Sequence, residues 1–85
     1  MEFSKTLSPS EAKYKYVGLP KKIREEFPDK DELFKLKFQG KIYNMKVNNK
    51  NSIMLTQLYD TYQFKEGDQI SITSIKEFFE LKVKS

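Results

Sequence analysis

Between Leu33 and Val47 the chain alternates apolar and polar residues with a period of two, and does so twice around a short turn. Phe34, Leu36 and Phe38 share one phase, and Lys35 and Lys37 the other. After Gln39-Gly40, residues Tyr43, Met45 and Val47 repeat the pattern against Asn44, Lys46 and Asn48. Successive strand side chains point to opposite faces, so this spacing predicts a hairpin with one inward and one wet face. The wet face carries Lys35, Lys37, Asn44 and Lys46.

Short β segments recur along the rest of the chain. Glu2 to Leu7 is a weakly alternating strand, and Ser8-Pro9-Ser10 a turn. Glu11 to Tyr16 is polar, with Lys13, Tyr14, Lys15 and Tyr16 interleaved; Val17-Gly18-Leu19 is a very short apolar run. Pro20 fits the first position of a helix, where its missing N–H costs nothing. Lys21 to Phe27 continue that helix, with Ile23 and Phe27 on one face, and Pro28-Asp29 ends it. Asn48 to Asn51 is a polar loop of residues that tolerate left-handed backbone. Ser52 to Leu55 is a strand, and Thr56 is placed to cap a second short helix, Gln57 to Tyr62. Lys65 to Asp68 is a turn. Gln69 to Thr73 and Lys76 to Val83 are the last strands.

These elements predict a mainly β fold, with a minor α+β character. About seven short strands around one small core give an open barrel capped by two short helices. At 85 residues there is room for one domain, residues 1–85, and no second core. The order strand, short helix, acidic turn, strand runs from Val17 to Phe38 and again from Ile53 to Thr73, which points to two related halves.

Composition removes several classes of function. Aromatics at 14% and hydrophobics at 38% support a core rather than disorder. The chain has no Cys and no His, hence no disulfide, no thiolate zinc site and no Ser-His or Cys-His nucleophile pair. Asp29, Asp31 and Glu32 cluster before a strand, but no motif supplies further converging ligands, and a structural turn is the better reading. We expect no enzyme activity, no metal, no cofactor and no small-molecule substrate. No apolar run approaches the roughly 20 residues a membrane span needs, and Met1 to Ser10 lacks the apolar stretch of a signal peptide. An intracellular protein is expected: cytoplasm or nucleoid, or nucleus in a eukaryote.

The net charge of +4 is unevenly spread. Residues 1–50 hold twelve basic against seven acidic side chains, a balance of +5, whereas residues 51–85 stand at −1. From Leu33 to Lys50 there are five lysines and no acid. A local field of this kind suits a polyanion.

Four blocks, taken in order, carry a resemblance. Phe3 to Glu11 (FSKTLSPSE) resembles an opening strand of pattern Lys-x-Leu-Thr/Ser-x-Ser-Asp. Leu19-Pro20-Lys21 with Phe27-Pro28 resembles an "LPK … FP" block, and Gly40-Lys41-x-Tyr43 a "Gly-Lys-x-Trp" strand start. Leu55-Thr56, Phe64 and Gly67-Asp68-x-Ile70 resemble an "LT … F … GD" block. Together they resemble the DNA-binding pseudobarrel family, which includes the plant B3 domain and the DNA-reading domains of some restriction endonucleases. The departures are Tyr43 and Leu58 or Tyr59 at tryptophan positions, a missing Gly-Trp pair, Glu11 in place of Asp, and a short loop after the central hairpin. Leu19 to Arg24 (LPKKIR) is also similar to the "IPKEIR" signature of the swapped-hairpin barrels of transition-state regulators and antitoxins.

The resemblance implies double-stranded DNA as partner, held in the major groove by two arms. The first would contain Lys5, Ser8, Ser10, Lys13, Tyr14 and Lys15, with Tyr16 beside them. The second would contain Asn44, Lys46, Asn48, Asn49, Lys50 and Asn51. Lysines neutralise phosphates and release counterions, hydroxyls fix register on phosphate oxygens, and asparagine pairs with an adenine edge. On this reading Lys46 and Lys50 meet phosphate, Asn44 or Asn48 meets a base, and Lys35 and Lys37 on the hairpin's wet face are further candidate DNA contacts. Each group also has a structural reading. Lys35, Lys37 and Lys46 can be a solvated strand face that discourages edge pairing, Asn48 to Asn51 plain turn chemistry, and Tyr14 and Tyr16 rim packing. A monomer is favoured. The competing functions are RNA or single-strand binding, which calls for exposed strand aromatics, and an antitoxin-like protein-interaction module, which calls for an exposed apolar patch.

Overall fold

The computed structural model describes residues 1–84. The chain runs β1 (Glu2–Thr6), α1 (Pro9–Tyr14), β2 (Tyr16–Gly18), α2 (Lys21–Arg24), β3 (Phe34–Phe38), β4 (Lys41–Met45), β5 (Ser52–Met54), a 3-10 turn (Thr56–Asp60), β6 (Gln69–Ile75) and β7 (Phe78–Lys84). Five strands form one sheet in the order β1-β6-β7-β3-β4, and β2 and β5 form a second. Neighbouring strands are antiparallel except β3 and β7, which are parallel. The sheets do not close on each other, so the architecture is a mainly β, seven-stranded open pseudobarrel with two short α-helices.

The central hairpin forms where the alternation places it. Gln39 and Gly40 both have positive φ, 49° and 84°. Two left-handed residues make the type I′ turn whose twist matches that of the flanking strands. Phe34, Leu36, Phe38 and Met45 are buried beneath it, and Tyr43 only half so. The expected strand to Val47 stops at Met45. Val47 instead bridges to Ile53 and ties the hairpin to the smaller sheet.

Val17 and Ile53 face each other across β2 and β5, and both are fully buried. They meet Leu36, Phe38, Ile70, Ile72 and Leu81 from the larger sheet in one core. The two halves noted in the sequence therefore touch through corresponding strands. Phe27 stacks on Phe79 at 4.4 Å and packs against Phe34 at 5.2 Å between ring centroids. This aromatic cluster seals the core beyond α2, where Ile23 is only half buried.

Four further expectations are corrected. Ser8-Pro9-Ser10 is not a turn: Ser8 caps α1 and Pro9-Ser10 begin it, and the helix runs on to Tyr14 through a stretch given above only as polar. The helix expected from Pro20 to Phe27 is one turn, Lys21–Arg24, with Pro20 outside it as the N-cap and Phe27 beyond its end. The second short helix is a 3-10 turn, and its cap position, Leu55, offers no side-chain hydrogen bond. The last hairpin turns at Lys76-Glu77, with Lys76 at φ 49°, so β6 is longer and β7 starts later than read.

Candidate nucleic-acid interface

The first arm is built on a capping box. Ser8 Oγ accepts the Glu11 N–H at 3.2 Å, and a Glu11 carboxylate oxygen accepts the Ser8 N–H at 3.0 Å. Pro9 follows the cap, as its fixed φ allows. The second carboxylate oxygen of Glu11 accepts from Lys5 Nζ at 2.6 Å and from the Gly18 N–H at 2.8 Å. Glu11 is 3% exposed. Burial would push its carboxyl up, but the hydrogen bonds from Lys5, Gly18 and Ser8, with the Lys5 charge, outweigh that and hold it below its ordinary value. One side chain thus clamps β1, α1 and β2 together.

Helix α1 ends at Lys15, which is left-handed at φ 61° and turns the chain into β2. The Leu55 N–H donates to the Lys15 carbonyl at 2.8 Å, fixing this corner to the end of β5. Lys13, Tyr14 and Lys15 are all exposed there. Lys13 Nζ lies 5.3 Å from the Tyr14 ring centroid and Lys15 Nζ 4.9 Å from that of Tyr59. Such exposed cation–π contacts are worth only about 0.5–1 kcal/mol, so both lysines are free to leave them.

The second arm is the Asn48–Asn51 loop. Asn48 Oδ1 accepts the N–H groups of Lys50 at 2.9 Å and Ser52 at 3.0 Å. Asn51 takes the left-handed position at φ 56°, and its carbonyl accepts the Leu19 N–H at 2.9 Å. The loop is therefore held to the strand that follows the first arm. Asn49 and Lys50 are exposed at its tip.

The pairing of β2 with β5 brings the arms to one hollow of about 760 Å³. Tyr16 and Gly18 of β2 and Ser52 and Met54 of β5, on the face opposite the buried Val17 and Ile53, form its floor, and Tyr14, Asn48, Asn49 and Lys50 complete the lining. A smaller hollow of about 210 Å³ adjoins it through Asn48 and Met54, and includes Asn44, Lys46 and Gln57. No acidic residue lines either hollow. Lys46 sits 3.8 Å from Asp31, but both are more than half exposed. A pair this open to solvent is worth at most about 1 kcal/mol and yields readily to a phosphate.

Not every residue chosen from the sequence reaches this surface. Lys5 is committed to Glu11 and to the Gly18 carbonyl at 3.4 Å, and Ser8 to the helix cap. Ser10, Lys13, Lys15 and Asn51 are exposed but line neither hollow. Lys35 and Lys37 lie on the outer face of β3, paired in register with Asn44 and Ile42, and Lys37 also neighbours Glu80. They too are outside both hollows. Asn48 spends its acceptor on the loop, so it has no free oxygen for a two-point adenine contact. Met54, Ser52, Gly18 and Gln57 belong to the surface and were not picked out. Their only signal is position, because each lies within six residues of the second arm or opposite its end across β2 and β5.

Among the described residues no group of three or more acidic side chains is placed to hold a metal ion. No helix there is long and apolar enough to cross a membrane.

The fold has solved relatives in shape. It is similar to a hypothetical protein of Arabidopsis thaliana with a TM-score of 0.70 and 14% identity, covering 100% of this chain and 90% of that one. It is also similar to the N-terminal domain of LlaJI.R1 from Helicobacter pylori, with a TM-score of 0.75 and 10% identity, covering 100% and 88%. Both likenesses fit a pseudobarrel fold. No family model matches the sequence, and no curated protein matches it.

Proposed function

We propose that this chain is a non-enzymatic module that binds double-stranded DNA, with its two arms in the major groove. The observation that carries the reading is the hollow lined by residues of both arms and by no acid, with Lys50 in its wall and Lys46 in the smaller hollow beside it. Lysine charge supplies affinity that does not depend on sequence. The exposed amides of Asn49 and Asn44 supply sequence choice. The domain is 27 Å across its longer axes, against a helical turn of roughly 34 Å, so one face can meet several phosphates. A small transcriptional regulator or the targeting module of a larger system would use such a domain.

A second reading, single-stranded nucleic acid, draws on Tyr14, whose ring is 60% exposed beside the hollow. The strand aromatics argue against it. Phe34 and Phe38 are buried and Phe79 is stacked on Phe27, so none of the three offers a face for base stacking. Gel shifts with random duplex, single-stranded DNA and RNA of equal length separate the two. Duplex should compete best; tighter binding of either single strand would overturn the duplex reading.

A further inference from the structure

We infer that the floor of the main hollow reads pyrimidine C5-methyl groups in the major groove, so that methyl-bearing duplex (thymine or 5-methylcytosine) is preferred over the same duplex without methyls. This rests on the duplex reading above. Asn48, Asn49 and Lys50 make the rim of the hollow polar and basic, but beside Ser52 its floor carries the apolar side chain of Met54. Met54 is 43% exposed there, and Tyr16 is its cross-strand partner in the pairing of β2 with β5. Gly18 adds no side chain to the floor. A thioether has no use for a phosphate, and apolar surface left open to water is unfavourable until something apolar covers it. In the major groove of a duplex, the apolar group that protrudes is the C5-methyl. The register of β2 against β5 sets the floor before any ligand arrives, and methionine is flexible and polarisable enough to follow a methyl. The absence of acidic lining lets the duplex approach closely enough for that contact.

The test uses four probes at one salt concentration: an alternating A·T duplex and its deoxyuridine counterpart, and an alternating G·C duplex and its 5-methylcytosine counterpart. Within each pair the phosphates and base-pair hydrogen bonds are the same. The methyl-bearing member should bind about three- to five-fold tighter, the effect of burying one methyl group. Both members should share one salt slope. In Met54→Ala and in Met54→Gln the preference should vanish; an exposed side chain can be changed at little cost to folding. Equal affinities within the pairs, with salt-dependent binding intact, would overturn this inference and leave the duplex reading standing. So would a preference that persists undiminished in both variants. Failure of every duplex to bind in a salt-dependent way would overturn both.

Discussion

Lys5 Nζ lies 2.6 Å from a carboxylate oxygen of Glu11, six residues away and across the boundary from strand to helix. The lysine is 29% exposed and the carboxylate 4%, so the pair braces the first arm from within. Lys5→Ala should therefore lower the melting temperature and leave the salt slope of DNA binding unchanged. Glu11→Ala strands a lysine and two backbone N–H groups and should cost about 3 kcal/mol in urea unfolding. A DNA slope that falls with Lys5→Ala would return this lysine to the phosphate contacts.

The same carboxylate fixes a pH dependence. Its folded pKa lies below the ordinary 4.5. A depressed carboxyl stabilises the fold above the unfolded value, and that stability is lost as pH falls from about 4.5 through the folded value. Urea midpoints measured between neutral pH and this acid range should fall less steeply in Glu11→Gln than in the native chain. Parallel curves would show that Glu11 does not set the acid limb.

The central hairpin depends on its turn. An added Cβ at Gly40 meets nothing within 4 Å, so any cost of Gly40→Ala comes from φ 84° alone. That cost should be about 1 kcal/mol. Gln39→Asn suits a left-handed turn position better and should raise the melting temperature slightly. A neutral Gly40→Ala would mean that the turn is not type I′.

Two asparagines of the second arm should behave differently. Asn48→Ala removes the acceptor of two backbone N–H groups and should cost about 1–2 kcal/mol of stability. Asn49→Ala should leave stability alone and narrow the gap between preferred and random duplex, by up to about 1–3 kcal/mol for a two-point base contact. Calorimetry and competition binding on both variants check the assignment. The reverse pattern would exchange their roles.

How far the sequence was legible follows from which forces leave a local trace. The hairpin of Phe34–Phe38 and Lys41–Met45 was readable because burying one sheet face imposes a period of two. Helix α1 was not, because it has no apolar stripe: its one buried side chain is Glu11. The Ser8-Pro9-Ser10-Glu11 capping box was its only signal, and it also reads as a turn. The second arm was visible as a run of asparagines, and the structure keeps it as a loop. That Asn48 closes the loop, rather than standing free in it, depends on Ser52 folding back within reach. Lys5 was misplaced for a similar reason, because its partner depends on how β1, α1 and β2 meet. Lys35 and Lys37 were correctly placed on the outer phase of β3, but alternation does not say which outward face adjoins the arms.

The central claim is that the two arms, and not the sheet face, meet the phosphates. The most direct measurement is duplex affinity against salt for the native chain, for Lys46→Ala/Lys50→Ala and for Lys35→Ala/Lys37→Ala. The arm variant should flatten the logarithmic slope by about one unit per lost contact, and the sheet variant should keep the native slope. A native slope in the arm variant, or an equal loss in the sheet variant, would contradict the account.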